Sequence, residues 1–412
     1  MVLLLLAISL STSATIQVTG TPGDPIIVTG QKIRDANARL KACIARQCPP
    51  DEEIDAALAL AEAELIAGEY RDARTTLLAS LKRNKDEAAR YPIPVSDLYR
   101  ANGKVAAHLG YDNDYYRSTW GIYQTLKKGM PSAIDRKFSA LMEVAEMTYR
   151  TRGHERARLY YESIAKQARE AGRPDIAAIA ELRSAIRHLP PGSVWQVEKI
   201  RRIASLRDKE MQAPALEANV ALARMSFEKG DEQAAQNSLK NLAHLNIQRP
   251  ILVYVPPFEV EGGQTGSGEL GTQVASTTTT IIPVNQGPNS GQQSATYVRS
   301  TPRSSPTHHM AINVEDEWMD VGFRITPEGR VADLKVMRKR GDNGWAPALL
   351  KSIQGRRYTP GKDNDPASQR AERYTYTSGV EMGAASRNRS HSPRARIEYL
   401  DLTPMGIAAP EL

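Results

Sequence analysis

Three times between Gln31 and Gln248, two alanines stand twelve positions apart on either side of a glycine. They are Ala61 and Ala73 around Gly68, Ala145 and Ala157 around Gly153, and Ala223 and Ala235 around Gly230. A larger residue follows the second alanine by four each time, as Leu77, Tyr161 and Leu239. Residues four apart share a helix face, so each set reads as two amphipathic helices joined at the glycine and touching through small side chains. Weaker versions centre on Gly110 and Gly192. One such pair cannot cover its own apolar face, and stacked neighbours supply the cover, which predicts a stack of roughly ten helices.

These offsets resemble the tetratricopeptide repeat, drawn out to about forty residues per unit. The resemblance implies an α-solenoid over residues 31–250 whose extended surface takes a protein or peptide partner. Tyr115, Tyr116, Tyr160 and Tyr161 are candidates for lining that surface, with packing between helix pairs as the other role open to them.

The pattern changes period after Trp318. Met319, Val321, Phe323 and Ile325 alternate with Asp320, Gly322, Arg324 and Thr326, which predicts an extended strand with one buried face. Pro327-Glu328-Gly329 supplies a tight turn, and alternation resumes through Ala332, Leu334 and Val336. Trp345, Leu349 and Ile353 then sit four apart on a short helix that tolerates Pro347 only in its first turn. A third extended run, Glu372 to Val380, completes a small α+β module of ββαβ order.

Alternating strand, Pro-x-Gly turn, second strand, Trp-led helix and Tyr358-Thr359-Pro360 resemble the C-terminal domain of TonB-type energy transducers over 311–383. In that family the domain sits in the periplasm and captures a short extended peptide of an outer-membrane TonB-dependent receptor. The resemblance implies strand addition, with backbone amides giving affinity and side-chain pockets giving register. Position after the helix makes Glu372, Arg373, Tyr374, Thr375, Tyr376, Thr377 and Val380 the candidate docking strand. Arg373, Thr375 and Thr377 fall on one face of it, Tyr374 and Tyr376 on the other.

Around these two parts the sequence reads as follows. Leu3 to Leu10 is an apolar run too short to span a bilayer, and with Ser11-Thr12-Ser13-Ala14 it reads as a secretory signal over 1–14, although it lacks a preceding Lys or Arg. Such a signal implies a periplasmic location and departs from the uncleaved anchor usual in the transducer family. Residues 15–30 read as an extended arm, and no other segment is apolar and long enough to cross a membrane. Residues 251–310 read as a Gly/Ser/Thr-rich linker, and 384–412 as a basic loop with an extra strand at Arg396 to Leu402. Cys43 and Cys48 have the wrong spacing for a redox pair and no second pair to complete a zinc site. In an oxidising compartment they would close a small loop, and two free buried thiols are the alternative.

The net charge of +7 over 412 residues is spread along the chain, which argues against a dedicated nucleic-acid surface. Gly266 to Gly271 spells GxGxxG without a strand before it or a helical period after it, so it lacks the context of a nucleotide site. His308-His309 has no carboxylate or cysteine at ligand spacing, and Glu315-Asp316-Glu317 reads as a solvated edge. Arg338-Lys339-Arg340 and Arg356-Arg357 are the densest basic spots. No catalytic constellation and no cofactor is expected. The sequence therefore describes a non-enzymatic, periplasmic protein-binding protein, with strand capture as its mechanism. The alternative is a repeat scaffold for cell-envelope assembly whose β-module is purely structural.

Overall fold

A computed structural model describes residues 25–130, 132–187, 194–242, 249–256, 297–299, 317–360, 368–382 and 389–403. The signal segment, most of the arm, the GxGxxG stretch and His308-His309 lie outside the described residues.

Among the described residues eleven α-helices come first: α1 (Pro25–Ala45), α2 (Pro50–Ala67), α3 (Tyr70–Asn84), α4 (Pro92–His108), α5 (Asp112–Gly129), α6 (Ile134–Arg152), α7 (His154–Glu170), α8 (Pro174–Arg187), α9 (Val194–Ala204), α10 (Gln212–Glu228) and α11 (Glu232–Lys240). The arm is not extended to Gly30, because α1 already begins at Pro25. The alanine pairs do what their spacing requires. Ala61, Ala73, Ala145, Ala157, Ala223 and Ala235 are all buried, as are Leu77, Tyr161 and Leu239. With no bulk beyond Cβ at these positions, α2 closes on α3, α6 on α7 and α10 on α11. Local signals set the ends. Pro50 and the acidic Asp51, Glu52 and Glu53 begin α2, where exposed amides favour negative charge, and the Asp231 carboxylate accepts the Ala234 N–H at 2.9 Å to cap α11. The structure joins Cys43 to Cys48 at the exit of α1, with Cα atoms 5.2 Å apart.

The strands follow: β1 (Leu252–Tyr254), β2 (Tyr297–Arg299), β3 (Trp318–Ile325), β4 (Val331–Arg340), then α12 (Ala346–Gln354), β5 (Arg357–Tyr358), β6 (Gln369–Met382) and β7 (Arg389–Asp401). Five of them form one antiparallel sheet in the order β2, β7, β6, β3, β4, while β1 pairs with β5. At the β3–β4 turn, Gly329 holds φ +71° and donates its N–H to Thr326 O at 2.8 Å. A Cβ there would lie 2.2 Å from Tyr358 O, so only glycine fits.

Both faces of this sheet are covered. Met319, Val321, Phe323 and Ile325 pack with Trp345, Leu349 and Ile353 of α12 in the module's own core. The opposite face is not solvated, as plain alternation would suggest. Trp318, Ala371, Leu400 and Leu402 share a continuous core with Leu65, Tyr70, Leu77 and Leu98 of α2 to α4. Removing a leucine-sized side chain from water contributes ~1.5–3 kcal/mol, so this seam is a substantial part of the fold.

Two sequence expectations change here. Residues 251–256 are not linker. Leu252 and Val255 enter the module core, Ile251 and Val253 the core of α10 and α11, and Arg224 Nε donates to Val253 O at 2.8 Å. Strand β1 thus stitches the last helices to the sheet. The extra strand expected at Arg396 to Leu402 is present and begins earlier, since β7 pairs with β6 from Arg389 to Asp401.

Candidate functional site

Strand β6 carries the candidate docking residues, and its register places them inside the sheet. Arg373 pairs with Asp320 of β3 on one side and Leu400 of β7 on the other, Tyr374 with Met319 and Tyr399, Thr375 with Trp318 and Glu398. Glu372 is flanked by Val321 and Asp401. The Tyr376 N–H donates to Glu317 O at 3.0 Å, and Tyr376 and Thr377 pair with Ile397 and Arg396. Val380 pairs with His391 on β7. The expectation of an open docking edge is therefore corrected from Glu372 to Tyr376, while Thr377 is shown paired on its β7 side. A peptide cannot add where β3 and β7 already occupy the backbone donors and acceptors.

What β6 does instead follows from its alternation. Toward α12, the Glu372 carboxylate accepts from Arg356 Nη1 at 2.8 Å, from Tyr399 OH at 3.2 Å and from Tyr374 OH. Burial pushes the Tyr374 and Tyr399 hydroxyls well up, so both stay protonated and able to donate. Toward the helices, Arg373 is wholly buried. Its Nε and Nη2 donate to the Asp320 carboxylate at 2.6 and 2.9 Å. Its remaining donors reach Leu65 O and Ile66 O, the latter at 2.7 Å. These are carbonyls of the last turn of α2, where helix geometry leaves acceptors over and the helix end is negative. The Arg373 guanidinium also lies 4.0 Å from the Trp318 ring centroid, and that ring lies against Gly68, the left-handed C-cap of α2.

Two more contacts extend the seam. Thr375 Oγ1 sits 2.8 Å from Tyr70 OH and 2.9 Å from His108 Nδ1, and the two rings stack at 5.3 Å. Arg150 at the end of α6 forms a buried ion pair with Glu398 of β7. The sheet thus lies across the C-terminal ends of α2, α4 and α6, with polar groups meeting partners far away in sequence. Thr375 and Glu398 were visible as polar residues on strands, but nothing local announced Tyr70 and His108 as partners of the first or Arg150 as partner of the second.

Other sequence candidates also resolve. Arg338 pairs with Asp320 at 2.6 Å, Arg340 with Glu69 at 3.3 Å and Arg356 with Glu372, so these basic residues are anchored within the chain. Tyr161 is core, Tyr115 lies under Arg150, and Tyr116 and Tyr160 cluster around Trp120. The sheet edge at β4 is bulged near Asp333, which holds φ +57°, and again where Met337 has no partner in the β3 register. Bulges and cationic side chains on an edge discourage further strand pairing.

A concave feature remains on the helices away from the sheet. A cleft of about 360 Å³ opens between α7 and α9 over α8, with Tyr161 and Ala165 among its lining residues and Trp195 at its rim.

No protein-family model matches the chain, and no curated protein matches it. Among solved structures it is similar to BtubC (BKLC) from P. vanneervenii, with 16% identity, 59% of this chain and 97% of that chain covered, and a TM-score of 0.38. It is similar to the apo form of RapI at 14% identity, covering 51% and 74% of the two chains, with a TM-score of 0.34. It also resembles the Rap conjugation gene regulator of plasmid pLS20, solved with the Phr* peptide, at 14% identity, 53% and 60% coverage and a TM-score of 0.32.

Proposed function

We propose that this chain is a periplasmic, non-enzymatic protein-binding scaffold in which the C-terminal sheet is a built-in part of the helical repeat array. The observation that carries this reading is the position of β6, paired on both sides and anchored through Arg373 to the last carbonyls of α2. A stack of tetratricopeptide-like hairpins presents a long rigid surface, and a sheet laid across its helix ends stiffens it further. The Cys43–Cys48 bond and the apolar run Leu3 to Leu10 support an oxidising, extracytoplasmic setting. The strand–strand–helix–strand order runs through to β6, but β7 then fills the edge that peptide capture would need, so strand capture there is not part of the proposal.

The test is removal of residues 394–412 from the full chain. The scaffold reading expects loss of cooperative unfolding in the sheet and a large drop in melting temperature, because β7 carries Ile397, Tyr399 and Leu400, and Leu402 just after it, into two cores. An unchanged melting temperature, with extended peptides now captured at Glu372 to Thr377, would overturn it.

A further inference from the structure

From Tyr115 to Gly129, helix α5 holds no carboxylate, while Arg117, Lys127 and Lys128 stand exposed on it. Two more exposed cations, Arg152 and Arg156, come from the junction of α6 and α7. Among the described residues no carboxylate pairs with any of these side chains. The acidic residues close by in sequence are taken, Asp114 by Arg74, Asp135 by Arg173 and Glu155 by Arg158.

An aromatic cluster lies among these cations. Tyr116, Trp120 and Tyr123 recur along one side of α5, and Lys127 continues the row. Trp120 meets Tyr116, Tyr123 and Tyr160 of α7 edge to face, with centroids 6.5, 5.8 and 6.0 Å away. These rings are half-buried. The Arg152 guanidinium lies 4.5 Å from the Tyr116 centroid, and the Lys127 ammonium 5.9 Å from that of Tyr123. Leu159, 58% exposed, follows Arg156 by three positions on α7 and adds an uncovered aliphatic side chain on the same side.

Cations without carboxylates draw an anionic partner, and the rings say of what kind. Locked edge to face, with cations already over Tyr116 and Tyr123, they make a poor stacking platform for nucleic-acid bases. Tyrosine and tryptophan, each with an apolar body and a polar tip, are instead the side chains that settle at lipid headgroups. Flanking Lys and Arg meet the phosphates there, and exposed aliphatic groups reach just below them.

We propose that the outer surface of α5 and the start of α7 rests on an anionic lipid surface. Lys127, Arg152 and Arg156 meet lipid phosphates, and the rings around Trp120 lie at the level of the headgroups.

The probe is vesicles of phosphatidylglycerol and phosphatidylcholine in equal parts, set against phosphatidylcholine alone, with binding of the full chain read by co-sedimentation. Expected are binding to the anionic vesicles only and weakening with added salt. A Lys127→Gln, Arg156→Gln double variant should bind about tenfold more weakly. A Lys209→Gln, Lys240→Gln variant, equal in net charge but altered at exposed positions elsewhere, should bind as wild type. Quenching of tryptophan fluorescence by brominated lipid locates the contact. Trp318 and Trp345 are buried and Trp195 stands at the α7–α9 cleft, so Trp120→Phe should remove most of the quenching and Trp195→Phe little of it. Circular dichroism confirms that the variants are folded. No binding to the anionic vesicles, equal binding to the neutral ones, equal weakening by both charge variants, or quenching that survives Trp120→Phe would overturn the assignment. So would binding of a single-stranded oligonucleotide or of polyglutamate without vesicle binding, which would give the surface to a dissolved polyanion.

Discussion

Arg373 and Asp320 meet in a two-point ion pair, 2.6 and 2.9 Å long, at a place that solvent does not reach from either side. Neighbouring strands bring the two residues opposite each other, and α2 closes over them. An ion pair taken out of water stabilises only if the remaining donors and acceptors are also met. Here they are. Arg338 supplies Asp320 with further donors, and the α2 carbonyls take the rest of Arg373.

Arg373→Leu should therefore be among the most damaging single changes in the chain. It leaves Asp320 with Arg338 as its remaining partner, Leu65 O with the Gly68 N–H and Ile66 O short of a donor, a loss expected at ~3–5 kcal/mol. Arg373→Lys keeps the charge without the planar fork and should fall between wild type and Arg373→Leu. Denaturant unfolding of the three proteins measures this directly.

Gly68 and Trp318 make a second test of the seam. A Cβ on Gly68 would sit 2.4 Å from Trp318 Nε1, and the residue holds φ +84°, a region that costs an alanine of order 1–3 kcal/mol in its own right. Gly68→Ala should lower stability by at least that amount in wild type, and by less in a Trp318→Ala background. Strict additivity in the double-mutant cycle would mean that the two residues do not touch in solution.

Glu64 gives the seam region a pH signature. Its carboxyl is buried at the end of α2, accepts from Thr76 Oγ1 at 3.0 Å, and is pushed by that burial up to about 7, with the Thr76 bond opposing. The folded state therefore holds the proton more tightly than the unfolded chain. The stabilisation is complete below the unfolded carboxylate range and is lost as pH rises through about 7. Unfolding free energy should decline between roughly pH 5 and pH 8, and Glu64→Gln should flatten that part of the profile. An unchanged slope in the variant would contradict this.

Legibility in the sequence followed the range of the interactions. Ala61 and Ala73 announce a helix pair because their spacing is local, and Met319 to Ile325 announce a strand for the same reason. Trp345, Leu349 and Ile353 likewise mark one face of α12. The polar face of the strands was misleading, because Asp320, Arg373 and Thr375 look solvated by pattern while burying themselves against Tyr70 and His108. A polar residue on an alternating strand carries no local sign of whether water or a remote side chain satisfies it. The same holds for Ile251 to Val255, which read as linker and gave no sign of the two cores they bridge. An edge is open or closed only once the whole sheet is ordered, and β7, arriving after β6, closes it.

Hydrogen exchange at the amides of residues 371–376 tests the central claim most directly, since they lie where β3, β6 and β7 meet under α2. If the sheet is built into the array, these amides exchange only through global unfolding and rank with the slowest in the protein. Exchange within seconds under native conditions, as for an open edge on an independent module, would contradict it.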